Sequence, residues 1–298
     1  MDSLIPGVYD RRLAAALARG AAAAYGDEGE MEAWAQRLGC AGCEVARDER
    51  TDSLAFAAAN EACGFVVFRG TRDLRNWITD LDCRRVKVDW VDGVDGVDAD
   101  GVEVHEGFNR ALEAVWGTLK GVLEKWSEGR KNIFFAGHSL GGALAMLAAA
   151  GCSEQWSVAS GQGTVTSDQC EVTSHSPLST NHSGLPIWLY TFGQPRVGNA
   201  AWARWYDGRL RARSFRVVHA EDVVARMPWL LGLYRHAGTE IFYDALGRAH
   251  QDWPWWAKAP SDAAGLWREW RQGKVALLGD HHVRTYVGML TRGMKDEG

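Results

Sequence analysis

The sequence of residues 132–143 is NIFFAGHSLGGA, in which a short apolar run passes directly into a serine flanked by glycines. Residues 137–141 fit the pattern G-x-S-x-G, which places a serine on a sharp turn between a strand and a helix. The apolar residues predict a buried strand over Asn132–Ala136, and the alanine-rich residues predict a helix over Gly141–Ala150. Glycines suit such a turn because bulkier neighbours would collide with the strand or the helix. The stretch predicts Ser139 as a nucleophile, the alternative being a glycine-rich helix start without chemistry.

Three further apolar runs predict the rest of a sheet. They are Gly64–Phe68, Ile187–Phe192 and Phe215–His219. Each is nearly continuous in apolar residues, as is typical of strands buried on both faces. Between the first strand and Asn132 lies a long amphipathic helix, with apolar positions from Phe108 to Trp126 at helical spacing. Strands that alternate with helices predict the α/β class, with a mainly parallel sheet.

The bulk composition excludes several classes of function. The 298 residues suit one large domain over 1–298, and the net charge of -5 argues against a nucleic-acid partner. No stretch of 18 apolar residues is present, so we expect no transmembrane helix. The alanine-rich run 13–24 is interrupted by Arg19 and predicts an ordinary helix. We therefore expect a cytoplasmic protein, with a secretory signal as the alternative.

Several segments carry weaker signals. Ser153–Gly184 is polar and predicts a long surface loop. Asp89–Asp100 predicts a solvated connection rather than a calcium loop, since the spacing of its Asp residues does not fit an EF-hand. The tryptophans of Gln251–Trp270 predict either packing or a rim that touches lipid. Cys40 and Cys43 form a single CxxC, so we expect reduced thiols and no metal site. A disulfide between Cys152 and Cys170 is the alternative for that pair.

A serine nucleophile needs a base, and the base needs an acid that orients it. In open α/β sheets of this kind the chain order is Ser, then Asp or Glu, then His. Asp222 follows the strand Phe215–His219 at its carboxyl end, where such sheets place their sites, and Glu221 is its rival. The downstream candidates for the base are His236, His250, His281 and His282.

Acyl transfer also needs two hydrogen-bond donors for the developing oxyanion. The backbone N–H of Leu140, directly after the nucleophile, is the first candidate. Thr71 follows the strand Gly64–Phe68 and offers both a backbone N–H and a hydroxyl. We expect Thr71 and Leu140 to form the oxyanion hole.

Several segments together resemble the lipase class 3 family, which includes the fungal triacylglycerol lipases. The similar segments are Val66–Thr71, Arg75–Leu81, Val104–Phe108, Gly137–Ala143, Thr191–Asn199 and Val217–Pro228. The nine residues TFGQPRVGN at 191–199 form a specific motif, and Asp222 stands in the place of the family's acid.

The resemblance implies an α/β-hydrolase fold, in which a central, mostly parallel sheet is flanked by helices. It also implies hydrolysis of carboxylic esters, either triacylglycerols or shorter acyl esters, at a lipid–water interface and without a metal or cofactor. In that family the segment at about 72–83 often forms a lid. The polar insertion at about 153–184 and the tryptophan-rich stretch depart from the family pattern and leave the acyl chain length open. Phospholipase A1, feruloyl esterase and a catalytically silent lipid- or partner-binding protein are the alternatives, and the intact Ser, Asp and His set argues against the last.

The resemblance also selects the base. In bacterial and plant members the catalytic histidine precedes a tyrosine by five positions, and that spacing from Tyr286 leads to His281. Some fungal members use a spacing of three, which here leads to Val283 and cannot supply a base. His282 fits neither spacing. Adjacent residues on a helix or turn point about 100° apart, so only one of the two histidines can face Ser139.

Overall fold

The computed structural model describes residues 4–71, 83–88, 101–127, 132–159, 186–219, 222–228, 232–254 and 281–294. The described helices are α1 (Arg11–Ala23), α2 (Glu28–Arg37), α3 (Glu106–Ser127), α4 (Leu140–Ala159), α5 (Ala200–Leu210) and α6 (Val283–Thr291). The described strands are β1 (Cys43–Asp48), β2 (Ser53–Ala59), β3 (Cys63–Phe68), β4 (Arg85–Lys87), β5 (Glu103–His105), β6 (Asn132–His138), β7 (Ile187–Phe192), β8 (Ser214–His219), β9 (Thr239–Tyr243) and β10 (Ala249–Gln251). None of the described helices is long and apolar enough to cross a membrane.

Eight of these strands form one sheet in the order β1-β2-β3-β6-β7-β8-β9-β10. The five strands from β3 to β9 run parallel, while β1, β2 and β10 add antiparallel edges. The fold is therefore an α/β sheet with a mostly parallel centre, which confirms the predicted class. Parallel strands bring all their carboxyl ends to one edge of the sheet, and the ends of β3, β6, β7 and β8 meet there.

Alternate residues of the central strands enter two separate cores. In β3, Val66 and Phe68 pack in the core beneath α3, α4 and α5, while Phe65 and Val67 pack in the core beneath α1, α2 and α6. The strand is buried on both faces, so both sets of side chains must be apolar. This explains why the predicted strands appear in the sequence as continuous apolar runs.

Helix α4 is longer than predicted. The sequence indicated a helix ending near Ala150 and a loop from Ser153, but the helix continues to Ala159. The first seven residues of the predicted insertion are therefore helical, and that part of the prediction is wrong. A helix extends cheaply once nucleated, and residues 153–159, SEQWSVA, contain neither glycine nor proline to stop it.

Several predictions fall on residues outside the described parts. These are the lid over 72–82, the acidic connection 89–100, the insertion from 160 to 184, the tryptophans from 255 to 270, Glu221 and Cys170. Trp253 is described, and its ring stacks on His250 with centroids 3.9 Å apart. Cys43 and Cys152 are free thiols.

Candidate active site

Ser139 occupies the turn between β6 and α4 in a strained conformation. Its φ is 59°, in the left-handed region that non-glycine residues rarely adopt. The turn is held because the Ser139 N–H donates to the carbonyl of Phe192 at 2.9 Å. A Cβ on Gly137 would lie 2.2 Å from the Gly141 carbonyl oxygen, so glycine is required on the strand side of the turn. Backbone strain of this kind costs about 1–3 kcal/mol and persists where the surrounding structure enforces it.

Asp222 lies just past β8, and four donors fix its carboxylate. Its Oδ1 accepts from the backbone N–H groups of Val224 at 2.9 Å and Ala225 at 3.4 Å. Its Oδ2 accepts from Tyr286 at 2.5 Å and from His281 Nδ1 at 2.7 Å. Burial raises the pKa of the Asp222 carboxyl, but His281 and Tyr286 outweigh it and the pKa is lowered overall. Asp222 is therefore a buried, ionised acceptor that orients the imidazole of His281.

The two adjacent C-terminal histidines have different surroundings. His281 is buried and bonded to Asp222, whereas His282 is exposed and caps α6, its Nδ1 accepting from the Arg284 N–H at 3.3 Å. The structure thus brings His281, and not His282, to the acid. The other two candidates are bonded elsewhere: His236 contacts the Ala225 carbonyl at 2.7 Å and His250 contacts Asp244 at 3.1 Å.

The bond to Asp222 also determines which nitrogen of His281 can act as a base. A carboxylate only accepts, so Nδ1 carries the proton and Nε2 of the neutral ring carries the lone pair. His281 Nε2 and Ser139 Oγ are both buried and have no hydrogen-bond partner in the described part of the chain. The side chain of His138, directly before Ser139, hydrogen-bonds the backbone carbonyl of His281 and so ties together the two segments that carry Ser139 and His281.

The two predicted oxyanion donors, Leu140 and Thr71, belong to neighbouring segments of the chain. Leu140 is the first residue of α4, where backbone N–H groups have no partner within the helix. The loop after β3 lies against this helix start. A Cβ built on Gly141 would lie 2.3 Å from the carbonyl oxygen of Phe68, and a Cβ built on Gly70 would lie 3.2 Å from the Cβ of Ser139. Thr71 follows Gly70 directly and is half-buried.

Two contributors to this arrangement were not predicted from the sequence. Tyr286 entered only as a spacing marker and a core residue, but its hydroxyl is a partner of Asp222. His138 entered only as the variable position of the G-x-S-x-G pattern, but its imidazole is buried against His281. The available sequence signal was the position of Tyr286, near the start of the helix that follows His281. Among the described residues, no group of three or more His, Cys, Asp or Glu side chains is arranged to hold a metal ion.

Comparison with known proteins agrees with this architecture. Residues 65–231 match the model of the family described as Lipase (class 3). The chain is 31% identical over 181 residues to the secreted mono- and diacylglycerol lipase 1 of Fusarium solani, covering 60% of this chain and 43% of that protein. It is 29% identical over 194 residues to a lipase of Rhizomucor miehei, covering 64% of this chain and 45% of that protein. The chain thus spans less than half the length of these relatives.

A solved structure shows the same fold. The triacylglyceride lipase of Rhizomucor miehei superimposes with a TM-score of 0.62 at 24% identity, covering 82% of this chain and 85% of that chain. The family match extends over more than half of the sequence and includes the serine turn, the TFGQPRVGN segment and Asp222. The chain therefore belongs to the class 3 lipase family.

Proposed function

We propose that this protein hydrolyses the carboxylic ester bonds of acylglycerols through an acyl-enzyme on Ser139. The observation that carries the proposal is the buried hydrogen bond between Asp222 and His281, which leaves Nε2 of His281 buried and unpaired among the described residues, as is the Oγ of the strained Ser139. The relatives support the substrate class, since they are named as mono- and diacylglycerol lipase and as lipase.

The reaction follows from the proton positions of the site. His281 Nε2 takes the proton of Ser139 Oγ as the oxygen attacks the ester carbonyl, and Asp222 stabilises the resulting imidazolium. The N–H groups of Leu140 and Thr71 stabilise the oxyanion of the tetrahedral intermediate. The imidazolium then protonates the departing alcohol, and a water molecule activated by the same nitrogen hydrolyses the acyl-enzyme and releases the fatty acid.

The experiment compares the wild-type protein with Ser139→Ala and with Ser214→Ala as control. Ser214 is also a buried serine, bonded to Tyr206 at 2.8 Å, but it begins β8 at the end of the strand away from Asp222. On a soluble p-nitrophenyl butyrate, Ser139→Ala should lose turnover by about 10³-fold or more, since only the oxyanion donors remain. Ser214→Ala should retain most of it. A Ser139→Ala protein with more than about a tenth of wild-type turnover contradicts the proposal.

The substrate class is tested with emulsified substrates at equal interfacial area. A monoacylglycerol, a triacylglycerol, phosphatidylcholine and a feruloyl ester are compared by titration of released acid. We expect the acylglycerols to be cleaved fastest. Faster release of acid from phosphatidylcholine or from the feruloyl ester would change the assigned substrate class but leave the mechanism standing. If the wild-type protein cleaves none of these esters, a catalytically silent binding protein is favoured.

A further inference from the structure

His138 is a buried histidine for which the mechanism above has no use. It is 4% exposed, and both of its ring nitrogens are hydrogen-bonded. Its Nδ1 lies 2.8 Å from the hydroxyl of Tyr25, and its Nε2 lies 2.6 Å from the carbonyl oxygen of His281. Its ring also packs against the ring of His281, with centroids 4.6 Å apart, and edge-on against Tyr286 at 5.8 Å.

The partners of His138 determine its tautomer. The carbonyl of His281 can only accept, so Nε2 of His138 carries a proton and donates it. Burial, followed by the charge of His281, lowers the pKa of His138 well below its usual value of 6.5. The ring is therefore neutral, and its Nδ1 is a lone pair that accepts from the Tyr25 hydroxyl.

Tyr25 brings this chain of hydrogen bonds into contact with the loop that precedes Thr71. The phenolic oxygen lies against Gly70, because a Cβ built on that glycine would collide with it. The two bonds point the same way, from Tyr25 to His138 and from His138 to the carbonyl of His281. Hydrogen bonds aligned in this way polarise and strengthen one another in a low-dielectric interior.

Tyr25 itself is well anchored. It follows α1 directly, and its N–H donates to the Ala22 carbonyl at 3.1 Å. Helix α1 is tied to the end of α6 by Arg11, whose guanidinium donates to the carbonyls of Leu290 at 3.0 Å and Met289 at 3.1 Å. Because α6 begins two residues after His281, the same helix pair fixes both ends of the hydrogen-bond chain.

We infer that Tyr25 and His138 are positioning residues. They hold the loop that carries Gly70 and Thr71 and the backbone of His281 at fixed positions relative to Ser139. Neither is hydrogen-bonded to Ser139 Oγ or to His281 Nε2. A neutral His138 also keeps a second positive charge away from the imidazolium that forms on His281 during the reaction. This inference rests on the proposed function, because these positions matter only if Ser139 attacks an ester.

The test uses Tyr25→Phe with Tyr9→Phe as the matched control. The two tyrosines flank the same helix, and the Tyr9 hydroxyl is also bonded to a protein side chain, that of Tyr243, at 3.3 Å. Each variant removes one phenolic oxygen, so each should change the melting temperature similarly. On a soluble p-nitrophenyl ester we expect kcat of Tyr25→Phe to fall about tenfold with KM within about twofold, because misplaced catalytic groups slow the chemical step. Tyr9→Phe should keep the wild-type kcat.

A double-variant cycle separates positioning from a general structural role. The background variant is His138→Gln, because a glutamine side chain can still donate to the His281 carbonyl but offers Tyr25 no ring nitrogen. If Tyr25 acts through His138, adding Tyr25→Phe to this variant should lower kcat no further. Full additivity of the two changes, or equal kcat for Tyr25→Phe and Tyr9→Phe in an active wild-type background, would overturn the inference alone. A wild-type protein that cleaves no ester would overturn the proposed function, and the positioning role with it.

Discussion

Gly193→Ala should damage the candidate catalytic site, because the added carbon would enter the contact between acid and base. Gly193 follows β7 with a φ of 60°, and a Cβ there would lie 2.5 Å from Asp222 Oδ2 and 2.9 Å from His281 Nδ1. Ordinary van der Waals contact begins near 3.4 Å, so the carboxylate must retreat by about 0.9 Å. The bond to His281, now 2.7 Å, would then exceed the usual limit of about 3.2 Å.

The expected magnitude follows from that displacement. A misplacement of about 1 Å costs about 100-fold in rate, which corresponds to about 2.7 kcal/mol at the transition state. Alanine in the left-handed region adds about 1–2 kcal/mol of strain to the folded state. The substitution should therefore lower kcat on a soluble ester about 100-fold and also reduce the free energy of unfolding.

Gly247→Ala supplies the control for strain alone. Gly247 has a φ of 77°, but its nearest neighbour would be Arg292 Nη1 at an ordinary 3.6 Å. It should lose stability without losing kcat. Steady-state kinetics and urea unfolding of both variants measure the two effects separately. A Gly193→Ala enzyme whose kcat lies within about threefold of the Gly247→Ala enzyme would refute the argument that acid and base are held at contact distance.

Two further predictions concern histidines. His281→Ala should abolish ester turnover and His282→Ala should leave most of it, since only His281 is buried against Asp222. An inactive His282→Ala enzyme together with an active His281→Ala enzyme would assign the role of base to His282. Burial holds the pKa of His138 well below 6.5, so below that pH the unfolded chain binds a proton that the folded chain does not. The stability from this difference is present above pH 6.5 and is lost as the pH falls towards the folded pKa, at up to about 1.4 kcal/mol per pH unit. Urea unfolding should therefore show a steeper acid loss for wild type than for His138→Gln, and parallel curves would contradict the assignment of a neutral His138.

Other parts of the structure were beyond sequence patterns. Strand β2 was not predicted, because residues 53–59, SLAFAAA, are alanine-rich and alanine favours helices. It forms a strand because Ala55 and Ala57 pack in the core on one face while Leu54 and Phe56 fill the core on the other. Tertiary packing overrides intrinsic propensity there.

The sequence alone determined the serine turn, the central strands and the α/β class. Those features leave local signals, since glycines are needed within a few residues of Ser139 and a strand buried on both faces must be apolar throughout. Only the tertiary structure decided which side chains meet. Asp222 and His281 are 59 positions apart, and Tyr25 and His138 are 113 apart. No local period relates such residues. Their contacts arise because parallel strands bring their carboxyl ends to one edge of the sheet and α1 packs beside α6, so that burial and hydrogen bonding select one pairing from the several that the sequence allowed.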